Sequence, residues 1–324
     1  MTGAHPRPVA REALAWVSAH RDRFRLDDAA LAVDGEVNRS WKPLGELAQV
    51  CSTVTARTPR HDPLHACASE LLDFAWRETG RGELFGRVQA LEPFATYPLE
   101  VYAAFASAGL RHPGYEASAA VVARTRGWRS TEQYPTRRLG VLGAERRGGI
   151  RPHEPVTRAL DRTWLGALPE PWTFERAAGY AVTHVVFHLT DWGRAPEGVP
   201  PRLTDYLLHW LPPWLDTCLE ARMWDLGCEL LAVAASLPRP PEPEPLAEAW
   251  ERVAGARRPS GAIPEEGGAY GTGDEFADCY HSTLMAAFAA ALTLARPAHD
   301  GVPHRAAPSL TAVPDGYGGR GALG

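Results

Sequence analysis

Three short segments in the second half of the chain combine the residue types that bind metal ions or move protons. The first is AGYAVTHVVFHLTDWG, residues 178–193, in which His184, His188 and Asp191 follow at i, i+4 and i+7. On a helix this spacing places all three on one face. Two such histidines can share a metal ion, and the carboxylate can be a third ligand or orient an imidazole. The alternative is a pair of core histidines, with Asp191 serving the helix C-terminus.

The second segment, EARMWDLGCELLAVAA, sets Asp225 and Cys228 three residues apart on an apolar helix, with Glu229 one turn after Asp225. A carboxylate in such a run needs water, a metal, a histidine or an arginine beside it, because an unpaired buried charge is strongly destabilising. Cys228 is either a metal ligand or a small buried apolar residue.

The third segment, FADCYHSTLMAAFAAALTLA, opens the last long helix with Asp278, Tyr280 and His281. An acid, a phenol and an imidazole are thus presented where free backbone N–H groups add positive potential. The alternative is structural, with Asp274 or Asp278 as the helix cap and Tyr280 in packing.

The elements that carry these segments are predicted to be helices throughout. Apolar residues recur at helical spacing and alternating strand patterns are nearly absent, so the predicted fold class is all-α. The predicted helices cover about 9–24, 44–56, 63–79, 98–110, 115–127, 154–166, 173–191, 203–211, 214–236, 245–256 and 276–296. We expect residues 9–296 to form one domain, with a cut near residue 145 as the alternative.

Three segments interrupt the helical pattern. Residues 126–155 hold many Arg and Gly and are predicted to be a loop. Pro212 and Pro213 are predicted to end one helix before the next begins. Residues 297–324, with repeated Pro and Gly, are predicted to form a flexible tail.

The helical rhythm and these motifs resemble the α/α-toroid enzymes, which are barrels of helical hairpins. The β subunits of protein prenyltransferases bind zinc through an Asp and a Cys of one helix and the His of a later Asp-x-Tyr-His-Thr motif. Residues 278–282, DCYHS, match that motif with Ser for Thr. The resemblance implies Asp225, Cys228 and His281 as zinc ligands, although the family spaces its Asp and Cys as D-x-C and this chain has D-x-x-C.

Lanthipeptide cyclases share the toroid and bind zinc through one Cys and a later Cys-His pair. Cys228, Cys279 and His281 resemble that set, but Tyr280 interrupts the pair and the Gly that follows His in that family is missing. The two resemblances imply a natural-product enzyme that modifies peptides, in which zinc activates a substrate thiol for thioether formation.

The remaining polar residues of these segments are then candidates for the general acid or for an orienting group. These catalytic candidates are His184, His188, Asp191, Tyr280 and Asp278. If the electrophile were an allylic diphosphate, arginines near the mouth would bind it. The arginines available for this are Arg137, Arg138, Arg146 and Arg147.

Two other classes of function fit the same residues. A metal-free barrel can run acid–base chemistry with histidines and carboxylates, here His184, Asp191, Asp225 and His281. A helical-repeat module can instead bind a peptide or a protein. Convergence of the polar residues in one pocket favours an enzyme, whereas an apolar groove favours a binding module.

Composition and charge exclude some classes of binding partner. The formal charge of -5 and pI near 6.2 argue against nucleic acid. No apolar run approaches the ~20 residues of a membrane span. The first residues lack the apolar core of a signal peptide, and five scattered cysteines do not form a disulfide pattern, so we expect a cytoplasmic protein. Arginine far outnumbers lysine, which indicates a high-GC genome such as an actinobacterial one. A peptide or small-molecule substrate, with a partner protein of the same pathway, is the expectation.

Overall fold

The computed structural model describes residues 6–31, 37, 39–267 and 274–296, and helices are its regular elements. The prediction of an all-α fold is confirmed, since the only β pairing in these ranges is an isolated bridge between Met223 and Glu266. The predicted tail, residues 297–324, lies outside the described residues. In the described ranges, none of the helices combines the length and the apolar character that crossing a bilayer requires.

The helices of the described ranges follow one another with short connections. The α-helices are α1 Pro6–Ala19, α2 Trp41–Arg57, α3 Pro63–Glu78, α4 Glu83–Leu91, α5 Tyr97–Ser107, α6 Pro113–Val122, α7 Arg126–Ser130, α8 Pro135–Arg147, α9 Val156–Leu160, α10 Arg176–Leu189, α11 Pro201–Glu220, α12 Trp224–Ser236, α13 Pro243–Ala256 and α14 Glu275–Ala295. Short 3-10 turns cover Arg21–Phe24, Asp28–Leu31, Leu165–Ala167, Pro171–Thr173 and Pro196–Gly198.

Six of these helices contact one another in a closed cycle, in the order α2, α5, α8, α10, α12, α14 and back to α2. The other long helices pack on the outside of the cycle: α1 lies on α14, α3 on α2, and α11 and α13 on α12. The helix α14 belongs to the cycle because its apolar run needs burial, and residues 282–292 are all buried. We call these six the six-helix cycle.

Four helices of the six-helix cycle run in the same direction. Side chains from the N-terminal halves of α2, α12 and α14 meet at one end of the cycle, where Tyr180 in the N-terminal half of α10 bonds Asp225 of α12. Their C-terminal ends meet at the other, where a Cβ on Gly193, just after α10, would lie 2.7 Å from Leu292 of α14 and 3.2 Å from Ser236 of α12. Polar groups at the start of each helix therefore share one end of the cycle.

The prediction of a loop over residues 126–155 is wrong, because α7 and the whole of α8 lie within it. The helix α8 is a member of the six-helix cycle, and residue 145 lies inside it. Its glycines allow close packing: a Cβ on Gly140 would lie 2.9 Å from the His188 ring of α10. Its arginines bind neighbouring side chains, as when Arg137 donates to Glu100 at 2.9 Å. The arginines and glycines that predicted a loop are thus part of a helix that has polar neighbours.

The predicted break at Pro212 and Pro213 is also wrong, since α11 continues through both prolines. Apolar residues keep helical spacing across the pair, and Leu211, Trp214 and Leu215 are buried. Packing of this face against α12 and α13 outweighs a cost of about 3 kcal/mol for a proline inside a helix. The chain breaks later, at Ala221–Met223, where Arg222 has a φ of 56°.

A left-handed turn closes the C-terminal end of the six-helix cycle. Asp191, Trp192 and Gly193 have φ values of 50°, 58° and 78°. Although α2 and α10 are on opposite sides of the cycle, Arg194 donates to Ser52 Oγ of α2 at 2.6 Å, and Arg57 of α2 donates to the Gly193 carbonyl. These bonds hold the turn across the cycle, which offsets the strain of non-glycine residues in left-handed conformations.

Replacing Gly193 by alanine should destabilise the fold. The positive φ and the overlap of the new Cβ with Leu292 should lower the free energy of unfolding by about 2–4 kcal/mol. Gly255→Ala is the matched control, because Gly255 lies in α13 with open space around its Cβ position. That variant should gain about 0.5–1 kcal/mol from helix propensity. Urea denaturation measures both, and equal effects would contradict the closing role of the turn.

Candidate functional site

The N-terminal end of the six-helix cycle is organised around one imidazole. His281 of α14 places Nδ1 3.1 Å from Oε2 of Glu46 on α2 and Nε2 3.2 Å from Oε1 of Glu229 on α12. Both ring nitrogens are therefore occupied by carboxylates from the two neighbouring helices. The ring and Glu46 remain partly accessible, with exposed fractions of 15% and 18%, whereas Glu229 is buried at 1%.

Glu229 extends this group to α10. Its Oε2 accepts a hydrogen bond from the Thr183 hydroxyl at 2.5 Å and lies 3.9 Å from Nδ1 of His184. One turn before Glu229, the buried Asp225 accepts a hydrogen bond from the Tyr180 hydroxyl through Oδ2. Its Oδ1 has no hydrogen-bond partner within the described part of the chain. Four helices thus contribute to one polar site.

The loop before α14 adds a further carboxyl group. Glu265 is half-buried, its N–H donates to the carbonyl of Asp278 at 3.0 Å, and its carbonyl accepts from the N–H of Trp224 at 2.9 Å. The loop therefore joins the first turns of α12 and α14. We call Glu46, Asp225, Glu229, Glu265 and His281 the carboxylate cluster.

The environment separates the carboxyl groups of the carboxylate cluster into two kinds. Burial opposes charge on Glu46 and Glu229, but His281 outweighs it and holds the pKa of both below the usual value. Burial also opposes charge on His281, and the two carboxylates raise its pKa well above the ordinary 6.5. Burial raises the pKa of Asp225 and of Glu265. The pKa values of carboxyl groups in one site are thus shifted in opposite directions, a combination that suits acid–base work.

Further along α10 lies His188, whose pKa is shifted in the direction opposite to that of His281. The His188 ring is 6.2 Å from the His184 ring, and its nitrogens have no hydrogen-bond partner among the described residues. Burial, together with the neighbouring His184, Arg147 and Arg137, lowers the pKa of His188 well below 6.5. His188 is therefore a neutral imidazole between the carboxylate cluster and the C-terminal end of the six-helix cycle.

A cavity of about 720 Å³ lies beside the same end of the cycle. Its wall includes Thr96 and Tyr97 at the start of α5 and Pro135 and Arg137 at the start of α8. Arg137 donates to Thr96 and to Glu100 at 2.9 Å. The cavity contains no residue of the carboxylate cluster, so it is a neighbouring space and not the site itself.

The comparison with known proteins gives one finding on the family. A family model described as "Domain of unknown function (DUF6895)" matches residues 10–291. The chain belongs to this family. The matched region contains the carboxylate cluster and nearly all of the six-helix cycle. No curated protein and no solved structure matches the chain significantly.

Several residues predicted from the sequence of this DUF6895 chain do come together. His184 and Asp225 are joined through Glu229 and the hydroxyls of α10, and His281 binds Glu229 directly. Tyr280 lies beside the carboxylate cluster, where burial and the charges of Glu46 and Glu265 raise the pKa of its phenol.

The remaining predicted residues have other contacts. Asp191 follows α10 in the left-handed turn and faces Arg147 at 3.6 Å, at the opposite end of the six-helix cycle. Asp278 meets the loop through its carbonyl, which accepts from Glu265. Cys228 and Cys279 are fully buried, and burial raises the pKa of both thiols, for Cys279 to about 11.

The residues of the predicted zinc site do not fit a metal ion as arranged. No group of three or more His, Cys, Asp and Glu side chains in the described ranges has the geometry to hold one. His281 has a carboxylate on each nitrogen, Asp225 binds the Tyr180 hydroxyl, and the Cys228 thiol is buried with a raised pKa. A zinc ligand set of Asp225, Cys228 and His281 therefore finds no support in this geometry.

Sequence reasoning missed two members of the carboxylate cluster and undervalued a third. Glu46 follows Lys42 at i+4 on an ordinary amphipathic helix, and Glu265 lies in a loop, so no spacing distinguishes them from surface acids. Glu229 is, like Asp225, a carboxylate within an apolar run. The pattern that indicated Asp225 as a site residue was therefore sufficient to indicate Glu229 as well.

The stability that the carboxylate cluster contributes should depend on pH with a defined window. The raised pKa of His281 means that its contribution is complete below 6.5 and is lost as pH rises through the folded value. The lowered pKa of Glu46 and Glu229 means that theirs is complete above 4.5 and is lost as pH falls through the folded values. The cluster should stabilise most between those limits.

Urea denaturation of the wild type and His281→Gln across pH measures this contribution. The difference in free energy of unfolding should be greatest between pH 4.5 and 6.5 and should shrink on both sides. His209→Gln is the matched control, because His209 is exposed on α11 and touches no carboxylate among the described residues. A pH-independent difference for His281→Gln would contradict the paired arrangement.

Proposed function

We propose that the six-helix cycle is the inner wall of an α/α-toroid and that the chain is a metal-free acid–base enzyme acting at its N-terminal end. The closed order of helix contacts and the shared direction of α2, α10, α12 and α14 support the toroid. The turn over Asp191–Gly193 supports a barrel closed at one end and open at the other. Enzymes on helical barrels commonly bind substrates in such an enclosed space.

The observation that carries the acid–base proposal is His281 held between Glu46 and Glu229. With both nitrogens occupied, His281 is a positioning residue that keeps Glu46 ionised and fixed in orientation. Glu46, partly exposed, is the proton acceptor in this proposal. Glu265, half-buried with a raised pKa, is the proton donor. Proton removal by one carboxylate and donation by another is the division of roles that opposite pKa shifts provide.

The peptide thioether chemistry implied by the toroid resemblance is a narrower version of this proposal. A carboxylate can take the proton from a substrate thiol as it attacks, which requires no zinc. The geometry gives no reason to prefer a thiol over a hydroxyl or a C–H acid. All five cysteines are free, which supports a reducing compartment, so we propose a cytoplasmic enzyme with a small-molecule or peptide substrate.

Untargeted mass spectrometry tests the activity without a known substrate. The purified chain is incubated with small-molecule and peptide extracts of the cells that encode it, and consumed or new masses are followed in time. Glu46→Gln should slow the wild-type conversion by at least about 100-fold, as loss of a general base does. Glu248→Gln, on the exposed side of α13, is the control and should convert at the wild-type rate. A wild type that converts nothing, or an unimpaired Glu46→Gln, contradicts the proposal.

Metal analysis tests the metal-free part separately. Plasma mass spectrometry on protein purified without chelators or affinity metals should find no stoichiometric zinc in the wild type or in His281→Ala, because both His281 nitrogens bind carboxylates. One zinc per chain that disappears in His281→Ala would restore the zinc hypothesis.

A further inference from the structure

The C-terminal end of the six-helix cycle holds more positive than negative charge. Arg57 of α2, Arg147 at the end of α8 and Arg194 after α10 surround the turn that carries Asp191. Three guanidinium groups and one carboxylate leave an excess of two positive charges (3 − 1 = 2). Buried charges of one sign require a counter-charge, and the described residues supply only Asp191 within ion-pair distance of these arginines.

Arg147 is the central member of this group. Its side chain is only 10% exposed and reaches across the cycle, with Nη1 donating to Oε1 of Gln49 on α2 at 2.7 Å and Nε lying 3.6 Å from Oδ1 of Asp191. Nε also lies 3.4 Å from the Gly143 carbonyl of its own helix. Nη2 has no acceptor among the described residues, yet it is not one of the buried unpaired atoms. Two N–H donors of Arg147 are therefore open to a ligand.

The other two arginines do not neutralise Arg147 or each other. Arg194 donates from Nη2 to the hydroxyl and the carbonyl of Ser52, and its Nη1 is buried without a partner in the described ranges. Arg57 donates to the Gly193 carbonyl. Burial outweighs the opposing charge of Asp191 and, together with the charge of Arg194, lowers the pKa of Arg147 to about 10. The positive charge is thus unfavourable as it stands, and an added anion would relieve it.

Three side chains on α10, after it and on α8 keep some contact with solvent. His184 is 42% exposed, Asp191 23% and Arg147 10%. His188 lies between them as an imidazole with unpaired nitrogens. A neutral imidazole can donate one hydrogen bond and accept another beside a charged ligand.

We propose that Arg147, with His188 beside it and Arg194 adding to the field, binds the anionic group of a small molecule inside the closed end of the six-helix cycle. A guanidinium group binds a carboxylate or a phosphate through charge-assisted hydrogen bonds, and the N–H groups of Nη2 are the donors open for them. This site is separate from the acid–base proposal, since it needs no chemistry at Glu46. A ligand anchored here would extend along α10 toward His184 and the carboxylate cluster.

Titration calorimetry of the full-length chain tests the site with inorganic phosphate and with succinate, each against chloride at equal ionic strength. Saturable binding of either one is expected, and the preferred probe identifies the anionic group as phosphate or carboxylate. Arg147→Gln should weaken that binding at least about tenfold, because the charge-assisted hydrogen bonds of the guanidinium group are lost. Arg296→Gln is the matched control, since the acceptors of Arg296 among the described residues are the backbone carbonyls of Ala235 and Leu237.

Two further measurements keep the outcome clear. Glu46→Gln should bind the anion as the wild type does. The anion site and the acid–base proposal can therefore fail independently of each other. If Arg147→Gln does not fold, the ring nitrogen signals of His188 in the wild type replace it, and they should shift on addition of the probe. Absence of binding to the wild type, equal binding by Arg147→Gln, or unmoved His188 signals would overturn the site.

Discussion

The described fold depends on pairing the charges that the six-helix cycle takes out of water. An imidazolium and two carboxylates from three helices can be buried together only because each satisfies another, and removal of one would leave an uncompensated charge. His281 therefore fixes the relative positions of α2, α12 and α14, and the Thr183 hydroxyl adds α10. An apolar core of equal volume would join the same helices without the desolvation cost of buried charges. That these charged side chains are present in spite of this cost suggests that they have a function.

The two ends of the six-helix cycle differ in charge, and the difference follows from the shared direction of its helices. Carboxylates gather near the starts of these helices and arginines near their ends, in agreement with the preference of each sign for a helix terminus. A lining that changes from acidic to basic along α10 would orient any ligand that carries one anionic end. His188, neutral and unpaired, lies between the two regions.

Membership of the DUF6895 family covers the same residues that build the cycle, so the fold and its polar interior belong to one unit. Within that unit the proline pair of α11 and the glycines of α8 have the same explanation. Tertiary packing decided both: α11 continues because its apolar face does, and Gly140 is small because the His188 ring packs against it. Local signals for a turn and a loop were overruled by contacts that lie far apart in the chain.

The sequence by itself determined the all-α class, most helix positions and three residues of the site region, His184, Asp225 and His281, because helical periodicity and charges within apolar runs are local properties. It could not show that His281 pairs with Glu46, 235 positions away, or that Arg147 faces Asp191. The choice between a metal ligand and a carboxylate-bound imidazole also lay beyond it. Those features depend on which helices become neighbours, and only the closure of the six-helix cycle decided that.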